Sequence, residues 1–166
     1  RVAAQSHPDD LEALWQCLDS VARERRFLVM VQAPPLSEAQ AFIDKARSNG
    51  MVQFVAIKES RVIGWCDVTP SRWEGLRHSG TLGMGVLAEF RGQGIGTRLL
   101  RETVEAAIHA GLRRIELEVF SSNRAAIALY KRHGFIREGV KRQARVLDVL
   151  VDDVICMGLV LDSNTA

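Results

Sequence analysis

A chain of 166 residues, with 47% apolar and 25% charged residues, has the length and balance typical of one globular domain. Its formal net charge of +2 is too small for the basic stripe of a nucleic-acid-binding protein, so we expect no nucleic-acid partner. No apolar run approaches the ~18 residues of a membrane-spanning helix and no signal segment leads the chain, so we expect a cytoplasmic protein without a membrane partner.

The first half of the chain predicts two helices followed by a β-hairpin. Apolar residues recur at helical spacing from Leu11 onward, and Ser37 and Gly50 fit the cap and the stop of a second helix. Two β-branched runs then flank a short turn at Glu59 and Ser60, which indicates antiparallel pairing. The predicted elements are helices at 11–26 and 37–50 and strands at 51–58 and 61–68.

The second half alternates strands and helices, which implies parallel pairing because a crossover helix joins parallel strands. The predicted elements are strands at 81–87 and 113–120, helices at 94–110 and 123–134, and final strands at 135–140 and 152–161. Together with the early hairpin, this order predicts a mixed sheet in a single α/β domain over residues 1–166.

Three glycines, Gly92, Gly94 and Gly96, stand between a strand pattern and a helical pattern in "GMGVLAEFRGQGIGTRLL". Such a turn offers free N–H groups at the positive end of the helix dipole, which is typical of an anion site. No lysine follows Gly96 as a nucleotide P-loop requires, and Thr97 stands where a dinucleotide fold needs its last glycine. These residues alone leave the anion open, and a turn without a ligand is the alternative.

Two motifs together resemble the GCN5-related N-acetyltransferase superfamily. Arg91, Gly94 and Gly96 form its R-x-x-G-x-G pattern, and "LEVFSSNRAAIALYKRHGF" follows about 25 residues later, within residues 80–140. The resemblance implies a mixed central sheet of about six to seven strands, with a parallel pair splayed around the cofactor and about four flanking helices. The amino-acid or phosphinothricin branch and the ribosomal-protein branch are the most similar.

By that resemblance, the anion is the pyrophosphate of acetyl-coenzyme A, which serves as co-substrate. Backbone groups of the glycine turn are expected to hold the pyrophosphate, and the preceding strand and the next helix to hold the pantetheine. The expected cofactor-binding residues are Met84, Val86, Arg91, Gly92, Gly94, Ile95, Gly96, Thr97, Asn123 and Tyr130. We expect no metal, and no cysteine lies in either motif, in line with direct attack of an amine on the thioester.

The resemblance also implies the two proton-transfer residues. Tyr130 is expected to protonate the coenzyme A thiolate, and Glu118 in "IELEVF" to deprotonate the amine. The structural alternatives are that Asn123 only caps its helix, that Tyr130 only packs, and that Glu118 is a surface carboxylate paired with Arg114. His78, Asp67 and Glu74 are weaker candidates for the base.

The sequence is least informative about the amine. Trp65, Arg77 and His78 are the candidate substrate residues, and with Phe27, Trp73 and Arg72 they suggest an aromatic floor with a carboxylate-binding arginine. That composition favours a small amine substrate, an amino acid or an analogue of one. The alternatives are a protein N-terminal acetyltransferase of the ribosomal-protein type and a non-catalytic acetyl-coenzyme A sensor.

The turn between the last two strands departs from the resemblance. Relatives tend to carry glycine and tyrosine there, whereas this chain has Val149, Leu150 and Val151. The difference puts in doubt any substrate contact inferred for the turn. Because exposed apolar patches often mark interfaces, a homodimer contact is the other expectation.

Overall fold

A seven-stranded mixed sheet organises the part of the chain that the computed structural model describes, residues 3–161. Its strands are β1 (Ala4–Gln5), β2 (Val52–Lys58), β3 (Arg61–Pro70), β4 (Ser79–Val86), β5 (Arg114–Phe120), β6 (Ile136–Leu147) and β7 (Leu150–Val160). Four helices accompany them: α1 (Leu11–Arg23), α2 (Leu36–Ser48), α3 (Ile95–His109) and α4 (Arg124–Arg132). The strand order is β1-β2-β3-β4-β5-β7-β6, which confirms the predicted fold class.

Most predicted boundaries follow local turn chemistry. Glu59 and Ser60 both have positive φ, as a two-residue hairpin turn requires, and β2 and β3 pair antiparallel around them. Gly50 adopts φ +91 just after α2, which confirms it as the stop. Ser37 is not the cap of α2: the carbonyl of Pro35 accepts the first helical hydrogen bonds, so the helix begins one residue before the serine.

Within residues 3–161, parallel pairing occurs only between β4 and β5. It joins Ser79–Thr81 to Arg114–Glu116 and goes no further. The strand after α4 does not lie beside β5, because β7 is inserted between β5 and β6 and pairs antiparallel with both. The final hairpin is also longer than predicted. β6 extends to Leu147, and the polar residues in this extension did not indicate a strand.

The core fills the space between the sheet and the helices that cover its two faces. Even-numbered residues of β3 face α3, and a Cβ built on Gly64 would lie 3.1 Å from Leu99. Odd-numbered residues of β3 therefore face the side of α1 and α2. On that side Trp65 is buried and covers Gly85 of the neighbouring strand, where a Cβ would lie 2.4 Å from the indole ring.

The tip of the β6–β7 hairpin contacts the segment that follows α1. Asp148 accepts two hydrogen bonds from the guanidinium of Arg25, at 2.6 and 2.9 Å, and Arg145 donates to the carbonyls of Arg26 and Leu28. Val149 stands beside this contact with φ +63 and is 99% exposed. The hairpin is thereby held against the end of α1.

None of the helices described between residues 3 and 161 combines the length and apolar character that crossing a membrane requires.

The close approach of Trp65 to Gly85 gives a stability prediction. We expect Gly85→Ala to lower the free energy of unfolding by about 1–3 kcal/mol, because the added methyl overlaps a buried ring. Urea titration measures the change. Gly139→Ala on β6 is the matched control, since no atom lies within 4 Å of its added Cβ, and equal losses in both variants would contradict the packing argument.

Candidate active site

A cleft of about 770 Å³ opens where β4 and β5 diverge beyond their three paired residues. All ten of the expected cofactor-binding residues line it, and so does Glu118. They come from the second half of β4, the glycine turn, the start of α3, the end of β5 and one face of α4. The divergence therefore brings together residues that the sequence separates by about 45 positions.

The backbone of β4 presents an unpaired edge to this cleft. The N–H of Leu87 donates to Ile63 on β3, whereas the carbonyl of His78 accepts from the start of β5. Odd-numbered residues thus bond to β3 and even-numbered residues turn toward β5. Because pairing with β5 ends at Thr81, the peptide groups of Met84 and Val86 face the cleft rather than another strand.

The glycine turn and the start of α3 supply further free donors. Gly92 and Gly94 have φ +74 and +81, so a side chain there is strained even though no atom lies within 4 Å of an added Cβ. Arg98 makes the first hydrogen bond of the helix, to the carbonyl of Gly94. The N–H groups at positions 95–97 precede it and have no partner among the described residues. They form an anion site at the positive end of the helix dipole.

Arg91 lines the cleft but is held by protein groups. Its guanidinium forms an ion pair with Glu24 after α1, donates 2.8 Å to the carbonyl of Val86 and lies 4.6 Å from the ring centre of Phe27. The arginine therefore ties the end of α1 to the end of β4, and Glu24 balances its charge.

Asn123 and Tyr130 lie on the cleft side of α4. The Oδ1 of Asn123 accepts from the N–H of Ala126 at 3.3 Å, which confirms its capping role and leaves its amide N–H groups free. Tyr130 is buried against Phe135, with ring centres 5.8 Å apart, and burial raises the pKa of its phenol. Its hydroxyl makes no hydrogen bond with any described residue, so it remains available to a ligand in the cleft.

Glu118 is exposed on the cleft wall and accepts 2.7 Å from Nζ of Lys141 on β6. The alternative that Glu118 pairs with Arg114 is wrong, because that arginine bonds instead to Glu116 and Glu138.

The three expected substrate residues lie outside the cleft. Trp65 is a core residue whose ring covers Gly85. Arg77 and His78 are exposed before the first residue of β4, at the end of the strand opposite the cleft, and none of the three lines it. The expectation placed them by composition alone, and the direction of β3 and β4 carries them elsewhere.

The segment after α1 and part of β6 line another wall of the cleft, with aromatic and apolar residues and an arginine. Of the residues considered for the aromatic floor, Phe27 does line it, beside Leu28 and Val29. Arg145 of β6 completes this wall and lies 4.0 Å above the ring centre of Phe120. Sequence reasoning missed Arg145 because the extension of β6 was not predicted.

Asp67 lies just beside the cleft on the α1 and α2 side of the sheet. It is half-buried and accepts one hydrogen bond from a described residue, from Nε2 of Gln53 at 3.3 Å. Burial raises the pKa of this carboxyl to about 7, although the hydrogen bond from Gln53 opposes the rise.

Within residues 3–161, no group of three or more histidine, cysteine, aspartate or glutamate side chains is arranged to hold a metal ion.

Comparison with known proteins identifies the family. Residues 13–135 match the model of the Acetyltransferase (GNAT) family, so the chain belongs to that family. An L-amino acid N-acetyltransferase of Escherichia coli is 30% identical over 95 residues, 57% of this chain and 59% of that protein. N-alpha-acetyltransferase 30 of Schizosaccharomyces pombe is 34% identical over 85 residues, 51% of this chain and 57% of that protein.

Both matches span less than two thirds of the length of these relatives. Among solved structures, a phosphinothricin acetyltransferase from Sinorhizobium meliloti in complex with acetyl-coenzyme A has the same fold, with a TM-score of 0.91. It is 22% identical, and the alignment covers 99% of this chain and 90% of that one.

The raised pKa of Asp67 makes stability depend on pH. The carboxyl of Asp67 binds its proton more tightly in the folded protein than in the unfolded chain. Asp67 therefore does not lower the free energy of unfolding below pH 3.8, and it lowers it most above about pH 7. We expect Asp67→Asn to gain free energy of unfolding relative to the parent protein, and to gain more at pH 8 than at pH 5. Urea titrations at the two pH values measure this difference, and an equal gap at both would contradict the prediction.

Proposed function

We propose that this protein is an acetyl-coenzyme A-dependent N-acetyltransferase that acetylates the primary amine of an amino acid or amino-acid analogue. The observation that carries the proposal is the cleft itself, which combines an unpaired strand edge, an anion site, a tyrosine hydroxyl without a protein partner and the guanidinium of Arg145. The family and the relative from Escherichia coli that acetylates amino acids support it.

The residues of the cleft fit acetyl-coenzyme A. The N–H groups at 95–97 suit its pyrophosphate, since glycines at 92 and 94 leave the approach open. The free peptide groups of Met84, the N–H of Val86 and the amide of Asn123 suit the amides of its pantetheine, whereas the carbonyl of Val86 is bonded to Arg91. When bound there, it supplies an acetyl group activated as a thioester.

Three groups of the chain serve the transfer. A free N–H on β4 near the thioester carbonyl stabilises the negative charge that develops on its oxygen, an effect of about 3–4 kcal/mol per donor. Tyr130 donates its hydroxyl proton to the departing sulfur, since burial keeps the phenol protonated. Glu118 supplies a negative charge on the cleft wall that attracts a substrate ammonium.

The amino-acid assignment rests on the position of Arg145 in the cleft wall. Its guanidinium lies over Phe120 beside Leu28, and a guanidinium next to apolar groups suits a carboxylate next to an apolar side chain. Two of its N–H groups bond to backbone carbonyls, and a guanidinium has five donors, so others remain for a ligand.

A protein N-terminal acetyltransferase is the second candidate, favoured by the similarity to N-alpha-acetyltransferase 30. The contacts of Arg25 with Asp148 and of Arg145 with Arg26 and Leu28 weigh against it. They join the segment after α1 to the last hairpin beside the cleft, which leaves less room for an extended peptide and so favours a small amine.

Thiol release from acetyl-coenzyme A tests the proposal with three sets of amines: amino acids, their carboxamides, and short peptides. We expect release with one or a few amino acids and at least ~10-fold lower kcat/KM with the matching carboxamides, because the carboxylate is lost. Arg145→Gln should abolish this difference while leaving the KM for acetyl-coenzyme A unchanged. Release with peptides alone would assign the second candidate, and silence with all three sets would leave a binding module and refute the enzyme.

Tyr130→Phe tests the proton donor. The variant lacks only the hydroxyl, so we expect it to bind acetyl-coenzyme A as the parent does and to lose ~10²-fold or more in kcat at neutral pH. Calorimetric binding of acetyl-coenzyme A and steady-state kinetics measure the two quantities separately. Phe135→Leu, which alters the packing around the ring but keeps the phenol, is the control, and unchanged turnover in Tyr130→Phe would remove the tyrosine from this role.

A further inference from the structure

We propose that Asp67 accepts the proton that the substrate ammonium must lose before its nitrogen attacks the thioester. This inference rests on the proposed function and adds a catalytic residue to it. Four observations carry it: the position of the carboxyl over Gly83, its free oxygen, its hydrogen-bonded support, and the different condition of the competing carboxylate, Glu118.

Asp67 lies beside Gly83 at the edge of the cleft. Asp67 and Gly83 are direct partners in the antiparallel pairing of β3 and β4, and both side-chain positions face the α1 and α2 side of the sheet. Gly83 lines the cleft, and a Cβ built on it would lie 3.5 Å from Oδ1 of Asp67. Because glycine has no side chain, nothing on β4 stands between this carboxyl and the opening between the strands.

The opening begins at the same point. Thr81 is the last residue of β4 that pairs with β5, and its partner is Glu116. Two residues further along, Gly83 and Glu118 stand on the same face of the sheet at the two sides of the gap. Asp67 and Glu118 therefore flank the place where the strands separate.

The two oxygens of Asp67 differ in their surroundings. Oδ2 accepts from Gln53, whose Oε1 accepts 2.9 Å from the hydroxyl of Ser6, which in turn accepts 3.3 Å from Arg47 of α2. Oδ1 accepts no hydrogen bond from any residue in the described range. The chain of hydrogen bonds thus fixes the carboxyl by one oxygen and leaves the other for a proton.

Glu118 is less suited to this role. It is exposed on the cleft wall, and one of its oxygens already accepts a hydrogen bond from Nζ of Lys141. No residue in the described range forms an ion pair with Asp67: burial raises the pKa of its carboxyl, the hydrogen bond from Gln53 opposes the rise, and Arg47 bonds to Ser6 instead. A carboxyl that titrates near 7 is matched to proton transfer at neutral pH.

The substrate ammonium loses two protons when its nitrogen becomes an amide. One proton moves from the ammonium to the ionised carboxylate of Asp67, and the freed electron pair of nitrogen forms the bond to the carbonyl carbon. The bond between that carbon and sulfur breaks, and the sulfur takes its proton from Tyr130. The second proton of the nitrogen restores the phenol, and Asp67 releases its own to solvent, so the products are an amide, a thiol and one proton.

Asp67→Asn tests the proposal through the pH profile of kcat/KM. In the parent protein we expect the rate to rise with pH up to about 7, where Asp67 ionises. The asparagine variant should lose at least ~10²-fold in kcat at pH 7 and keep only the pH dependence of the amine, with unchanged binding of acetyl-coenzyme A. Glu116→Gln, which lies on the same face of β5 outside the cleft, is the control expected to keep parent kinetics.

Two further measurements keep the test decisive. Gln53→Met removes the hydrogen bond that lowers the pKa of Asp67, so the acid limb of the profile should move to higher pH even if Asp67→Asn does not fold. Carbon-13 NMR of labelled aspartate should show one carboxyl that titrates near pH 7 and responds to the amine substrate, which reports on Asp67 without turnover.

The outcomes separate the two claims. Parent turnover and an unchanged acid limb in Asp67→Asn, or in Gln53→Met if that is the folded variant, would overturn the role of Asp67 and leave the acetyltransferase intact. Loss of the limb in Glu118→Gln instead would assign the proton to Glu118. A parent protein that releases no thiol with any amine would refute the proposed function itself.

Discussion

The separation of β4 from β5 after only three paired residues is the constraint on which the rest of the site depends. A sheet normally satisfies its backbone polar groups by pairing, and unpaired groups must find another partner. Here the peptide groups of Met84 and the N–H of Val86 turn toward a gap instead of a strand, next to helix N–H groups that have no partner among the described residues. The free edge of β4 and the start of α3 together form a surface that suits a long, polar and anionic molecule.

Neighbouring elements keep the gap open in specific ways. Arg91 bonds at once to Glu24 and to the carbonyl of Val86, so the end of β4 is held by α1 rather than by β5. Insertion of β7 beside β5 gives that strand a full antiparallel partner on its other edge. Each strand is therefore secured on the side away from the cleft.

The sequence predicts this half of the site well because its signals are local. The glycine turn, the cap at Asn123 and the spacing of Asn123 and Tyr130 depend on residues close in the chain, and the structure places them around one cleft. The substrate end depends on which strand lies beside which. Trp65 was expected near the amine, but the glycine at position 85 of the next strand lets its ring settle into the core. Arg145 reaches the cleft only because β6 extends past its predicted end.

Three carboxylates near the sheet show how environment separates identical groups. Glu118 is exposed and paired with Lys141, whereas Asp67 is half-buried and, among the described residues, is bonded only to a neutral amide. Asp152 is also buried, which by itself raises the pKa, but hydrogen bonds from Ser122 and Ser121 outweigh burial and lower it. Composition cannot distinguish these cases, because the difference lies in the partners that folding supplies.

The turn at the tip of the last hairpin contains a residue, Val149, whose replacement can raise the stability of the fold. Val149 holds a left-handed backbone conformation that costs a β-branched residue about 1–2 kcal/mol, and its side chain is almost wholly in solvent. Glycine relieves that cost without touching the cleft. Stability gained there can offset what is lost when the residues around Phe27 and Arg145 are changed, so the amine specificity of this scaffold can be evolved from a variant that tolerates more mutation.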